Sequence, residues 1–237
     1  VYVVIIFTSV NTAGDKNWRE YIKGLALNEK LDLVVVSLDE HGLSHSEDFN
    51  GLNFIRGYEW PSVNTALHAT VSVLHEIYRF GFNLKDRSEL GKSSSIKIFL
   101  SHAKSGGTGC LIAEDIKRFI DDTNMNQFFD ASAISPSFDF KEEIIGHLKG
   151  STVLAIVSDA YSSRYWCQKE ILAAKELDRP IIILNSLEDY EDRSFPELTN
   201  VPVVRAHPVS PFPIVDILRA LVSCLVETIR HHYVINC

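Results

Sequence analysis

Apolar residues follow two rhythms along this chain. Short unbroken runs of Val, Ile and Leu alternate with longer stretches where apolar residues recur every three or four positions. The short runs are the pattern of strands buried on both faces, and the longer ones that of amphipathic helices. In the first half, Val1–Thr8 and Leu33–Leu38 read as buried strands, and Leu52–Ile55 as a short third. A helix capped by Asp15 or Asn17 is expected through about Leu27, with Trp18, Tyr21, Ile22 and Leu25 on one face. Residues 39–51 are polar and read as a loop. Thr65–Phe80 carries Leu67, Val71, Leu74 and Tyr78 at helical spacing.

The charged, serine-rich stretch Lys85–Ser95 then breaks both rhythms and reads as a linker. It divides the chain into an α/β domain at 1–84, whose role the sequence leaves open among docking, sensing and oligomerisation, and a larger domain at 96–237. In the larger part, strands are expected at Ile96–Leu100, Gln127–Asp130, Val153–Val157, Ile181–Leu184 and Val201–Val204. Helices are expected at Cys110–Ile120, Phe138–Lys149, Trp166–Leu177 and Ile214–Ile229. Strands alternating with helices imply a parallel sheet covered on both faces, with ligands beyond the carboxyl ends of the strands.

Composition narrows the function classes. With 46% hydrophobic and 23% charged residues, the 237-residue chain has the material for a globular core. A net charge of −8 without a basic stripe argues against direct nucleic-acid binding. The four cysteines are scattered without CxxC spacing, so neither a zinc site nor a disulfide framework is expected, and free thiols point to the cytoplasm. No metal site is expected elsewhere. Val1–Phe7 is too short to span a membrane. The only methionine is Met125, so the chain is expected to be part of a longer protein.

The segment Tyr165-Trp166-Cys167-Gln168-Lys169-Glu170 carries the most distinctive chemistry. Residues four apart on a helix share a face, so Trp166 and Glu170 would project an aromatic plate and a carboxylate together. That pair suits a flat cationic ring. A buried anchor beside a solvated charge would produce the same spacing.

Four motifs in order resolve much of that ambiguity. They are Ile98-Phe99-Leu100-Ser101-His102, Phe128-Phe129-Asp130-Ala131-Ser132-Ala133-Ile134, Ser158-Asp159-Ala160-Tyr161, and Trp166-Cys167-Gln168-Lys169-Glu170 followed by Arg179-Pro180-Ile181-Ile182. Together they resemble a Toll/interleukin-1 receptor (TIR) domain of bacterial type, spanning about Ile96 to Ile229. The resemblance implies a flavodoxin-like parallel sheet with helices on both faces. It also implies one of two activities: cleavage of the nicotinamide–ribose bond of NAD⁺, as in anti-phage defence, or non-catalytic scaffolding through TIR–TIR assembly. In the cleaving group a glutamate stands where Glu170 stands here, which nominates Glu170 as catalytic. NAD⁺ is then substrate, with no cofactor required. Self-association, with a sensor domain or partner protein as further candidates, is expected to activate the enzyme.

The resemblance also nominates Phe99, Ser101, His102, Lys104, Phe129, Asp130, Phe138 and Trp166 as substrate-binding positions. Asp130 and Phe138 bracket the BB loop, which in the family gates the site; Ser137 stands there in place of the usual glycine. Several of these residues keep a second meaning. Ser101 could bond ribose or phosphate, or form a turn; His102 could stack on substrate or be structural. Trp166 could wall the nicotinamide pocket or anchor its helix. Lys104, in the glycine-bearing loop to Gly109, could pair with pyrophosphate or belong to a flexible connection. Asp159 reads as bracing the loop before the Trp166 helix. Cys167 lacks a histidine placed to activate it. In the first half, Asn11–Asp15 follows a strand and could receive a nucleotide-derived ligand, although docking or oligomerisation explains this half more simply.

Overall fold

Two parallel sheets form, one in each half of the chain. They belong to two compact units, Val1–Ser93 and Ser94–Cys237. This computed structural model describes residues 2–43, 54–82, 96–104, 107–121, 128–130, 140–190 and 195–236. The linker expected at 85–95 and Phe138, with most of the BB loop, lie outside the described residues.

The first unit contains β1 (Tyr2–Thr8), α1 (Val10–Gly14), α2 (Lys16–Ala26), β2 (Leu31–Ser37), β3 (Phe54–Arg56) and α3 (Thr65–Phe82). The strands lie side by side in chain order, with β2 central. Ile6, Leu33 and Val35 pack with Ile22 of α2 on one face. Val34 and Val36 alternate to the other face, and α3 buries Val71, His75 and Tyr78. Asp15 caps α2, its carboxylate accepting from the amides of Asn17 at 2.8 Å and Trp18 at 3.2 Å.

Helix α1 occupies the stretch expected to be open for a ligand. The Ser9 amide donates to Thr12 Oγ1 at 2.8 Å, and the Val10 amide to Asp39 Oδ2 at 2.7 Å. That second bond is the main reason the Asp39 carboxyl is held below its ordinary value. The Val10 amide at the start of the helix is therefore already taken by a carboxylate.

The second unit contains β4 (Lys97–His102), α4 (Gly109–Asp121), β5 (Phe128–Asp130), α5 (Phe140–Leu148), β6 (Ser151–Val157), α6 (Tyr165–Glu176), β7 (Ile181–Asn185), β8 (Val203–Arg205) and α7 (Ile214–Asn236). Its five-stranded sheet has the order β5-β4-β6-β7-β8, and every pairing is parallel. This is the doubly wound, flavodoxin-like order, with the order reversing at β4. Phe99, Val153, Ala155, Val157, Ile181 and Ile183 meet Ile144 and Leu148 of α5 and Ile171 and Ala174 of α6 on one face. The intervening residues Ile98, Leu100, Leu154, Ile156, Ile182 and Leu184 are buried on the opposite face, where α4 and α7 lie. Thr152 Oγ1 and Thr228 Oγ1, 2.5 Å apart, fasten β6 to α7.

One boundary matters for the site. Strand β4 continues through Ser101 and His102, because Ala155 and Ile156 of β6 carry on the ladder beside them. These two residues are the end of the strand, not the turn beyond it.

Candidate active site

Helix α6 turns Cys167, Glu170, Ile171 and Ala174 toward the sheet. Three of these are ordinary core residues at helical spacing. Glu170 is not: a carboxylate stands on the buried seam with only 4% of its surface exposed. A carboxylate in that position is costly unless hydrogen-bonded. Ser101, from the central strand, supplies a bond: its hydroxyl donates to Glu170 Oε2 at 2.5 Å. Tyr161 follows in the 3-10 turn Tyr161–Ser163 beyond β6, with its phenol oxygen 2.6 Å from Ser101 Oγ. Both Ser101 and Tyr161 are completely buried.

Residues 98–210 match the TIR domain family. This part of the chain is a TIR domain. None of the curated proteins compared matches the chain.

The TIR domain sorts the nominated residues into those at the site and those that are not. Glu170 sits beside the carboxyl end of β4, with Ser101 behind it. Trp166 is 47% exposed, which removes the core-anchor reading. It lies one turn before Glu170 and meets Tyr165 edge-on, ring centroids 5.2 Å apart. Lys169 Nζ lies 5.4 Å from the Tyr165 ring centroid, so the outer side of this turn is aromatic and cationic. Lys104 is exposed just past β4; its charge and that of Arg164 both act on the Cys167 thiol, which places both cations near the start of α6.

Burial bears on three of these expectations. Phe99 is completely buried in the core between the sheet and α5–α6, its ring among protein side chains. Ser101 is likewise sealed from solvent; its hydroxyl is spent on Glu170 and Tyr161 instead of ribose, phosphate or a turn. His102 is adjacent in sequence, but the two-residue period of a strand turns it to the face opposite Ser101, and it is 8% exposed. It therefore does not share a face with Glu170. Phe129 and Asp130 are placed by backbone alone, paired with Phe99 and Leu100 in the ladder.

Asp159 braces a different loop from the one expected. Its carboxylate accepts from the amides of Glu188 at 2.9 Å and Asp189 at 3.2 Å, beyond β7. Gly109, at the end of the loop weighed as a phosphate site or a flexible connection, admits Ser158: a Cβ there would stand 2.9 Å from Ser158 Oγ. The glycine lets the start of α4 approach the end of β6.

The electrostatics follow from burial. Desolvation, then the charges of Cys167 and Glu170, push the Tyr161 phenol well above its ordinary value, so Tyr161 stays a neutral donor. Burial, reinforced by Glu170, pushes the Cys167 thiol up to about 12, which leaves it unfit as a nucleophile. Tyr161 was missed as a site residue. Its motif was visible in the sequence, but nothing local brings it to Ser101, 60 residues away. Among the described residues, no group of three His, Cys, Asp or Glu side chains could hold a metal, and no helix is long and apolar enough to cross a membrane.

Proposed function

We propose that this TIR domain is an NAD⁺ glycohydrolase with Glu170 as its catalytic carboxylate. The observation that carries this reading is the buried, hydrogen-bonded carboxylate at the carboxyl end of the central strand, one helical turn from a half-exposed tryptophan. Nicotinamide in NAD⁺ is a cationic leaving group. As its bond to ribose C1′ breaks, the bonding pair leaves with the neutral nicotinamide and positive character develops on the ribose, as in glycoside cleavage. A fixed carboxylate beside that centre stabilises the charge and orients the ribose hydroxyls. Water then adds at C1′ and loses a proton, giving ADP-ribose; attack by a group of the same molecule gives a cyclic product. The exposed Trp166 ring offers a surface for the nicotinamide.

The burial of Glu170 bears on regulation. At 4% exposure the carboxylate reaches a ligand only after the groups covering it move. That fits activation by assembly, with a silent monomer and an active oligomer, as expected of an anti-phage enzyme of the cytoplasm. The same burial favours the second reading, a scaffold in which Glu170 merely fastens α6 to β4.

Nicotinamide release from NAD⁺, followed on size-exclusion fractions of the wild type and Glu170→Ala, separates the two. The glycohydrolase reading expects release from assembled wild type and a loss of ~10²–10³ or more in Glu170→Ala. Assembly without release would establish the scaffold, and equal release by both proteins would remove Glu170 from the chemistry.

A further inference from the structure

Ser101 has one hydroxyl proton and two close oxygen neighbours. Glu170 Oε2 lies 2.5 Å away and the Tyr161 phenol oxygen 2.6 Å away. The serine hydroxyl donates its one proton to Glu170 Oε2. The serine oxygen is then an acceptor toward Tyr161, and the tyrosine must donate. The chain has one direction, from Tyr161 O–H to Ser101 O–H to Glu170 Oε2.

We propose that Ser101 and Tyr161 are positioning residues for the Glu170 carboxylate. The proposal rests on the glycohydrolase reading. Three separate elements meet here: the end of β4, the turn after β6, and the inner face of α6. Helix α6 alone leaves the Glu170 side chain several rotamers. A hydroxyl from the neighbouring strand restricts Oε2 to one place, and the tyrosine fixes the rotation of that hydroxyl. Burial strengthens both bonds, since each donor acts in a low-dielectric surrounding and each polarises the next. Both residues are completely buried and bonded to one another and to Glu170, so the contribution assigned to them runs through Glu170. A reacting carboxylate that is already oriented spends no energy on ordering as the ribose charge develops.

A merely structural bond network would have the same distances but different consequences. Removing it would lower stability and leave the turnover of folded protein unchanged. The test is steady-state nicotinamide release by the assembled full chain for Ser101→Ala, Tyr161→Phe, the double variant and Glu170→Ala, each checked for wild-type assembly. Hydrogen bonds to charged groups are the strong ones, so kcat should fall about tenfold to a hundredfold in Ser101→Ala, and about threefold to tenfold in Tyr161→Phe. KM should stay at its wild-type value in both. The decisive quantity is the double variant. If Tyr161 acts only through Ser101, Tyr161→Phe costs nothing further once Ser101 is alanine. Tyr161→Phe removes a single oxygen, so it keeps the test alive if Ser101→Ala does not fold.

Losses that multiply in the double variant, or wild-type kcat in both single variants, overturn the proposal. So does a rise in KM at unchanged kcat for Ser101→Ala, which would make Ser101 a substrate contact. If Glu170→Ala is inactive while both single variants keep full kcat, only the positioning chain is lost. If the wild type releases no nicotinamide, or Glu170→Ala releases as much, the glycohydrolase reading falls and the chain with it.

Discussion

Phe99 offers a sharp test of the structure against the sequence pattern, because the two give it opposite roles. The TIR resemblance places it in the substrate site; the structure buries it completely, in one core cluster with Val153, Ile144, Leu148 and Ile171. A phenylalanine side chain covers roughly 150–250 Å². Removing most of that area at ~25 cal/mol per Å² costs about 3–5 kcal/mol, and the cavity left behind keeps Phe→Ala losses in the range of ~3–5 kcal/mol. For a domain of this size, Phe99→Ala should lower the melting temperature by about 10 °C or more. Phe99→Leu keeps much of the apolar volume and should cost about 1–2 kcal/mol. Calorimetry and urea unfolding of the wild type and both variants supply the stabilities. NAD⁺ turnover of the folded Phe99→Leu protein supplies KM, which should equal that of the wild type. A Phe99→Ala protein that melts with the wild type but binds NAD⁺ poorly would refute the core assignment.

Two further predictions concern titration and reactivity. His75 is buried in the first unit, its imidazole lowered from 6.5 to about 4 by burial and by Arg79. Between those values the unfolded chain binds more protons than the folded one, so stability is lost as pH falls from about 6.5 toward 4 and is fully present above 6.5, with a span of roughly 3 kcal/mol. Urea midpoints of the first unit across that range should show the slope in the wild type and lose it in His75→Leu; parallel slopes would contradict the assignment. Among the described cysteines, Cys110 is partly exposed, whereas Cys167 and Cys224 are buried with raised thiol values. A thiol reagent at about pH 8 should label Cys110 in the native protein and reach Cys167 and Cys224 only on unfolding, read by mass spectrometry of the labelled peptides; rapid native labelling of Cys167 would contradict its burial.

Periodicity made much of this protein legible in one dimension. The valine- and isoleucine-rich runs become strands and the three-to-four spacing becomes helices, because each side-chain period matches one backbone geometry. The boundaries moved where a partner extended or replaced an element: Ser101 and His102 joined β4 beside β6, and Asp39 completed α1 from 29 residues away. Four ordered motifs sufficed to place a TIR domain and to single out Glu170. The split between Ser101 and His102 was not readable, because the strand was expected to end at Leu100 and only the pairing with Ala155 and Ile156 carries it through both residues.

The sequence by itself determined most of the strands and helices, the family of the second unit and the chemical type of each candidate group. Only the tertiary structure decided which groups meet. Phe99 went to the core, Trp166 to the surface, and Ser101 to Glu170 with Tyr161 behind it. The physical reason is range. Local periodicity depends on neighbours a few positions apart, whereas the Tyr161–Ser101–Glu170 chain spans separations of 60 and 69 residues. Its members come into register only when β4, the turn after β6 and α6 are packed against one another.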